Sequence, residues 1–246
     1  MPTVEEFTDP FLTSYVPPPQ AGPGACDVCH GAPFAGDARC WSCRETTSSV
    51  SHPLELVVPI SLYQLGGQLH TVLAGYKRSS DAAVRRQHRY QVGATLHRFV
   101  RDHGDHVRAA AAGDWNTVTI VPSKDPRSHQ HALEKVVRLG RTLAGQYRPL
   151  LEPWEPDTIE RARASDRGYR TSDDVDGLRV LLIDDTYTSG ATFQSAASAL
   201  SLAGADVVAG IVIGRVIHPE FSAEAEALWE QQVWLPFDFD VCCLEP

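Results

Sequence analysis

Three consecutive segments in the last third of the chain constrain its fold most. Arg179-Val-Leu-Leu-Ile183 is almost wholly apolar, Ala191 to Ala203 is alanine-rich and stops at Gly204, and Val207 to Ile213 is apolar again. Apolar runs without alternation suit strands covered on both faces, and a glycine after a helical stretch suits a helix stop. Strand, helix, strand in this spacing makes a crossover between parallel strands. Upstream, Thr117-Val-Thr-Ile-Val121 reads as a further strand. His131 to Tyr147 reads as a helix, with Leu133, Val136, Val137, Leu139 and Leu143 apolar. The expected fold is α/β, a parallel sheet flanked by helices, with ligands at the carboxyl ends of its strands. Nearer the N-terminus, Leu54 to Val58 reads as a short strand, Leu62 to Gly75 as a helix and Ala82 to Asp102 as a longer amphipathic helix.

With 246 residues, 43% hydrophobic and 22% charged, the chain fits one large globular domain with a small appendage. No apolar run approaches the roughly 18–20 residues that cross a bilayer, so no membrane partner is expected. Met1 to Phe11 carries Glu5, Glu6 and Asp9 and no basic cluster, which does not read as a signal peptide; the cytoplasm is the expectation. Residues 1–25 hold Pro17-Pro18-Pro19 and Gly22-Pro23-Gly24 and read as a flexible tail, residues 26–48 as a separate module, and residues 49–246 as the main domain.

The net charge of −9 is uneven. Seven acids and no Lys or Arg lie between Val216 and Pro246, which leaves the first 215 residues at −2. Lys77 to Arg108 carries eight basic residues against three Asp. Such a stretch is either a solvated helix face or a surface for phosphate or single-stranded nucleic acid. The acidic whole argues against nonspecific duplex binding.

Four of the six cysteines are patterned. Cys26-Asp-Val-Cys29 and Cys40-Trp-Ser-Cys43 are two C-x2-C pairs separated by ten residues containing Gly31, Pro33 and Gly36. Two such pairs supply four thiolates to one tetrahedral Zn²⁺, a closed site that reads as structural. The competing reading is two disulfides, disfavoured in a reducing compartment; His30 is an alternative ligand. Cys242 and Cys243 receive no role.

The most informative segment is Val180-Leu-Leu-Ile-Asp184-Asp185-Thr186-Tyr187-Thr188-Ser189-Gly190-Ala191-Thr192. A buried strand ends in two carboxylates, a loop of small hydroxyl residues follows, and a helix begins. Backbone N–H groups at a helix N-terminus cradle phosphate, and hydroxyls of Thr188, Ser189 and Thr192 add donors. Gly190 permits close backbone approach. Asp184 and Asp185 suit ribose hydroxyls. Neither G-x4-G-K-[ST] nor a G-x-G-x-x-G after a strand is present.

This order of residues resembles the phosphoribosyl pyrophosphate (PRPP) motif of type I phosphoribosyltransferases. With the four-Cys module and Gly75-Tyr76-Lys77 after a helix, the chain is similar to the ComF family of competence-associated, phosphoribosyltransferase-like proteins, over roughly residues 26–215. The resemblance implies a type I phosphoribosyltransferase fold with an N-terminal zinc module. It implies PRPP bound by Asp184, Asp185, Thr186, Thr188, Ser189, Gly190, Ala191 and Thr192, with Asp184 and Asp185 catalytic. Val121-Pro122-Ser123-Lys124 fits the family's pyrophosphate loop, which assigns Ser123, Lys124 and Arg127 to the diphosphate. Arg167 matches the arginine of the family's mobile loop, here Glu155 to Asp176. Mg²⁺ would accompany PRPP, and a nitrogenous acceptor would receive the phosphoribosyl group. Arg127-Ser128-His129-Gln130-His131 departs from the family's Arg-Gly-x-Asn-Gln element; His129 and His131 read as polar loop residues or as an acid and base. That departure keeps open a PRPP-binding protein without turnover. The family's association with competence adds a third expectation, a partner in single-stranded DNA uptake or processing.

Overall fold

The computed structural model describes residues 3–123 and 132–245. Its centre is a four-stranded sheet of order β1-β6-β5-β2, formed by β1 (Val57–Tyr63), β2 (Thr117–Ile120), β5 (Arg179–Tyr187) and β6 (Asp206–Val216), with every pairing parallel. Helices cover both faces. Leu181 and Ile183 of β5 join the core under α3 (Gln68–Arg78) and α4 (Ala82–Ala110). Val180 and Leu182 alternate to the other face, packing with Phe193, Ala196, Ala197 and Leu200 of α7 (Ala191–Leu202). The two-residue period of a strand divides one apolar run between two cores. Among the described residues, no helix is long and apolar enough to cross a membrane.

Several elements differ from the sequence reading, each for a physical reason. The first strand runs from Val57 through Pro59 to Tyr63, where a strand ending at Val58 and a helix from Leu62 were expected. β1 is an edge strand, where a proline costs no ladder hydrogen bond on the free side. α3 starts only after Gly66 and Gly67. Gly75, Tyr76 and Lys77 lie in its last turns rather than beyond its end. β5 continues through both acids to Tyr187 because Asp184, Thr186 and Tyr187 stay in register with Val212, Gly214 and Arg215 of β6. The helix expected over residues 131–147 is two short helices, α5 (Ala132–Val137) and α6 (Arg141–Gln146). Gly140 breaks it, and its N–H donates to His97 Nε2 at 3.0 Å.

The residue 155–176 segment is not an open loop. It contains a short strand, β4 (Tyr169–Thr171), which pairs antiparallel with β3 (Leu151–Pro153) just before it. Asp166 ties it to the body by accepting from Ser51 Oγ and Ser198 Oγ, both at 2.6 Å.

The N-terminal residues are also more ordered than a flexible tail. Thr3 and Glu6 form a reciprocal capping box for α1 (Val4–Thr8), which satisfies donors at the helix start. Tyr15 is buried, its hydroxyl 2.6 Å from Thr95 Oγ1, and Val16 bridges to Leu62 at the edge of the sheet. Arg98 and Arg101 of α4 pair with Asp9 at 2.5 Å and Glu5 at 2.7 Å. Part of the basic stretch is thus neutralised by this segment. Between it and β1 stands the four-Cys module, closed by α2 (Trp41–Ser48). Beyond β6, α8 (Ala223–Gln232) leads to a C-terminal segment that returns to α4.

Candidate functional site

β5 carries Asp184 and Asp185 to the carboxyl end of the sheet, beside a cavity of about 450 Å³. The wall is built from four places: the end of α3, the segment after β2, the start of α5, and the β5–α7 turn. Asp184, Asp185, Thr186, Thr188, Ser189, Gly190, Ala191 and Thr192 all line it, as does Ser123. The residues singled out in one stretch of sequence are therefore brought together around one space. Lys124, Arg127, His129 and His131 lie outside the described residues.

Gly190 is the hinge of this turn. Its φ of 83° is left-handed, and a Cβ there would lie 2.1 Å from the Tyr187 hydroxyl. Only glycine combines that backbone with that neighbour. The next residue opens α7, so the N-terminus of a twelve-residue helix forms part of the cavity wall. The positive end of a helix and its unpaired N–H groups favour an anion there.

The two acids are not equivalent. Asp185 is 2% exposed and is held from α3: the Tyr76 hydroxyl donates to its Oδ2 at 2.8 Å, and Lys77 Nζ lies 2.5 Å from the same oxygen. Burial opposes the Lys77 charge, but Asp185 and Asp184 outweigh it and raise its pKa. Asp184 is half-buried and accepts from the Asp185 N–H at 2.8 Å. Burial first, and the Asp185 charge second, push the Asp184 carboxyl well above the usual range. Burial and the adjacent Asp185 charge likewise raise the Tyr76 hydroxyl. One lysine thus contacts Asp185, while Asp184, pushed toward its protonated form, lines the cavity beside it.

Arg167 is not among the residues lining this cavity. Its side chain is exposed and pairs with Glu155 at 2.5 Å. Conversely, Lys77 and Arg78, which the sequence marked only as part of a basic stretch, line it. The advance signals for Lys77 were its place in the Gly75-Tyr76-Lys77 triplet and at the head of the basic stretch; its partner is more than a hundred residues away.

The four patterned cysteines form a second centre against the same turn. Their Sγ atoms all lie within 4.8 Å of one another, all four residues are buried, and none is in a disulfide. Cys29 and Cys40 Sγ are 3.8 Å apart, the edge length of about 3.8 Å that a tetrahedral site with Zn–S bonds near 2.3 Å requires. The donor set fits Zn²⁺. His30 does not join it; its Nδ1 lies 3.0 Å from the Pro19 carbonyl.

Arg215, at the end of β6, couples the two centres. Its Nε donates to Cys29 Sγ at 3.3 Å, and its Nη1 donates to the carbonyls of Thr188 at 2.6 Å and Val216 at 2.7 Å. Burial opposes this charge, but Cys29, Cys40 and Cys43 overcome it and raise the Arg215 pKa. The Tyr187 hydroxyl is 3.4 Å from Cys43 Sγ. Arg215 sits at the end of an apolar run, where nothing in its local sequence marks it.

No family model matches this chain, and no curated protein matches its sequence.

Proposed function

We propose that the chain is a PRPP-binding protein of the type I phosphoribosyltransferase class, with a zinc-stabilised N-terminal module as in the ComF family, and that it transfers a phosphoribosyl group to a nitrogenous acceptor with release of pyrophosphate. The observation that carries this reading is the pairing of two carboxylates with a helix N-terminus across one cavity, with Gly190 turning the chain between them. A sugar phosphate presents the matching chemistry: hydroxyls for the acids and a phosphate for the turn.

The residues divide the work. The Thr188–Thr192 turn binds the 5-phosphate through backbone N–H groups and hydroxyls. Asp184 and Asp185 orient the ribose and stabilise positive charge developing at its anomeric carbon as pyrophosphate leaves. Lys77 and Arg78 border the same space and neutralise phosphate charge. Mg²⁺ accompanying the diphosphate would supply further charge neutralisation. Tyr76 and Lys77 hold the Asp185 carboxylate fixed in direction, so little reorganisation is needed during reaction.

The test is calorimetric binding of PRPP with Mg²⁺, beside an Asp184→Asn, Asp185→Asn double variant. Binding by the parent and loss in the variant is expected. No binding by folded, zinc-loaded protein would overturn the reading. Pyrophosphate release over a panel of bases then separates a transferase from a PRPP sensor without turnover.

A further inference from the structure

The C-terminal segment carries a cluster that the proposed function does not use. His103 and His106 lie one turn apart on α4, and Cys242 and Glu245 lie three residues apart in the final turn, closed by the Glu245 N–H to the Cys242 carbonyl at 3.2 Å. One ligand atom from each, two imidazole nitrogens, a thiol sulfur and a carboxylate oxygen, meet within 4.8 Å of one another.

We propose that His103, His106, Cys242 and Glu245 form a second Zn²⁺ site, which clasps the C-terminal segment onto α4.

The spacing of the donors carries the argument. A tetrahedral Zn²⁺ with Zn–N near 2.0–2.1 Å and Zn–S near 2.3 Å leaves its ligand atoms about 3.3 Å apart for two nitrogens and about 3.5 Å for nitrogen and sulfur. His103 Nδ1 and His106 Nδ1 are 3.3 Å apart, and His106 Nδ1 and Cys242 Sγ are 3.6 Å apart. Glu245 Oε1 lies 3.4 Å from His103 Nδ1 and 2.9 Å from His106 Nδ1. Three of these four edges match within about 0.1 Å, and the shorter fourth is a hydrogen-bond length that a metal would open by a few tenths of an ångström.

The orientation of His103 adds a second argument. The ring is buried, and its Nε2 is 2.6 Å from the Phe239 carbonyl, a group that only accepts. Nε2 therefore carries a proton. Metal-bound histidines are commonly fixed in this way, their far nitrogen donating to a carbonyl or carboxylate. In the neutral ring Nδ1 then presents a lone pair toward another acceptor, the Glu245 carboxylate. A cation at the centre satisfies both. Imidazole, thiolate and carboxylate together suit Zn²⁺ rather than Mg²⁺ or Ca²⁺.

The clasp would hold a plug in place. Phe239, between β6 and the final turn, is buried against Tyr15 at 5.9 Å and Phe237 at 5.0 Å, and the Arg98 guanidinium covers it at 4.3 Å. The Ala21 N–H donates to the Cys243 carbonyl at 3.1 Å. The site would thus lock together the two ends of the chain and α4.

The test is zinc content and zinc titration of the full chain. The expected result is two equivalents per chain, falling to one in His106→Ala and in Cys242→Ser. The His106 side chain is 45% exposed, so its removal leaves the packing intact and circular dichroism should match the parent. Amide exchange of residues 239–245 should quicken at least tenfold in the zinc-loaded His106→Ala variant. A parent that takes up only one equivalent, or variants that both keep two, would overturn the site and leave a histidine–glutamate hydrogen-bond network.

Discussion

Two buried charge clusters stand side by side at the carboxyl end of the sheet, and they are built to opposite standards. At the end of β6, Arg215 meets sulfur ligands of the cysteine module and backbone carbonyls of the loop. At the end of β5, one lysine and one tyrosine both hold Asp185, and Asp184 stands beside it on the cavity wall. In the first cluster the one buried cation is hydrogen-bonded on several sides. The second leaves Asp184, pushed toward its protonated form by burial and by Asp185, beside open space. A satisfied buried network rigidifies its surroundings, whereas an unsatisfied one stores a cost that a ligand can relieve. The Thr188 carbonyl joins them, so the rigid cluster supports the loop of the open one.

The comparison breaks first if the cysteine module is dispensable. Cys26→Ser with Cys29→Ser should abolish zinc at this centre and cost about 4 kcal/mol or more, a loss in the range reserved for missing metals and disulfides. In thermal unfolding that is a fall of about 8–16 °C for a chain of this size. A strong chelator should reproduce the fall in the parent, and unchanged melting in both experiments would end the structural reading. Arg215→Met comes next. It removes a buried cation from thiolates and carbonyls, which should cost about 3 kcal/mol. It should also weaken PRPP binding although Arg215 is absent from the cavity wall. If binding holds while stability falls, the two clusters are neighbours without a working link.

Much of this arrangement was readable in the sequence where the determinants are local. β5 and β6 followed from unbroken apolar runs, α7 from an alanine-rich stretch, the four-Cys cluster from two C-x2-C pairs, and the turn from Thr188, Ser189 and Gly190. What escaped was long-range. Lys77 reaches Asp185 only after α3 folds against the sheet, and Arg215 meets Cys29 from 186 residues away. The prolines and glycines of residues 1–25 read as a tail, and nothing local announces the burial of Tyr15, which depends on Thr95 of α4. Arg167 fitted a pattern of sequence, yet the strands on either side of its loop direct it to Glu155. His103 and Cys242 carry no shared motif, and only the return of the chain end brings them together.

Two smaller effects sharpen the contrast at the open cluster. Gly190→Ala should cost about 2 kcal/mol, from a left-handed backbone and a forced shift of Tyr187. It should reduce phosphate binding more than stability, since the turn itself moves; equal binding by the variant would remove the turn from the site.

Asp184→Asn should act in the opposite direction on stability. The folded protein raises the Asp184 pKa, so between the unfolded value and the folded one the native state holds a proton that the unfolded chain has released. Stability therefore falls as pH rises through that window, and the full cost is present above the folded pKa. Asparagine keeps the acceptor for the Asp185 N–H but carries no charge. The variant should match the parent below the ordinary aspartate range, near pH ~3.9, and melt higher than it at neutral pH. The same change should weaken PRPP binding. A more stable protein that binds less would show that the second carboxylate at the end of β5 is kept for a ligand and not for the fold. Lower stability at neutral pH would mean that Asp184 has a partner in the folded protein after all, and the two clusters would then be alike.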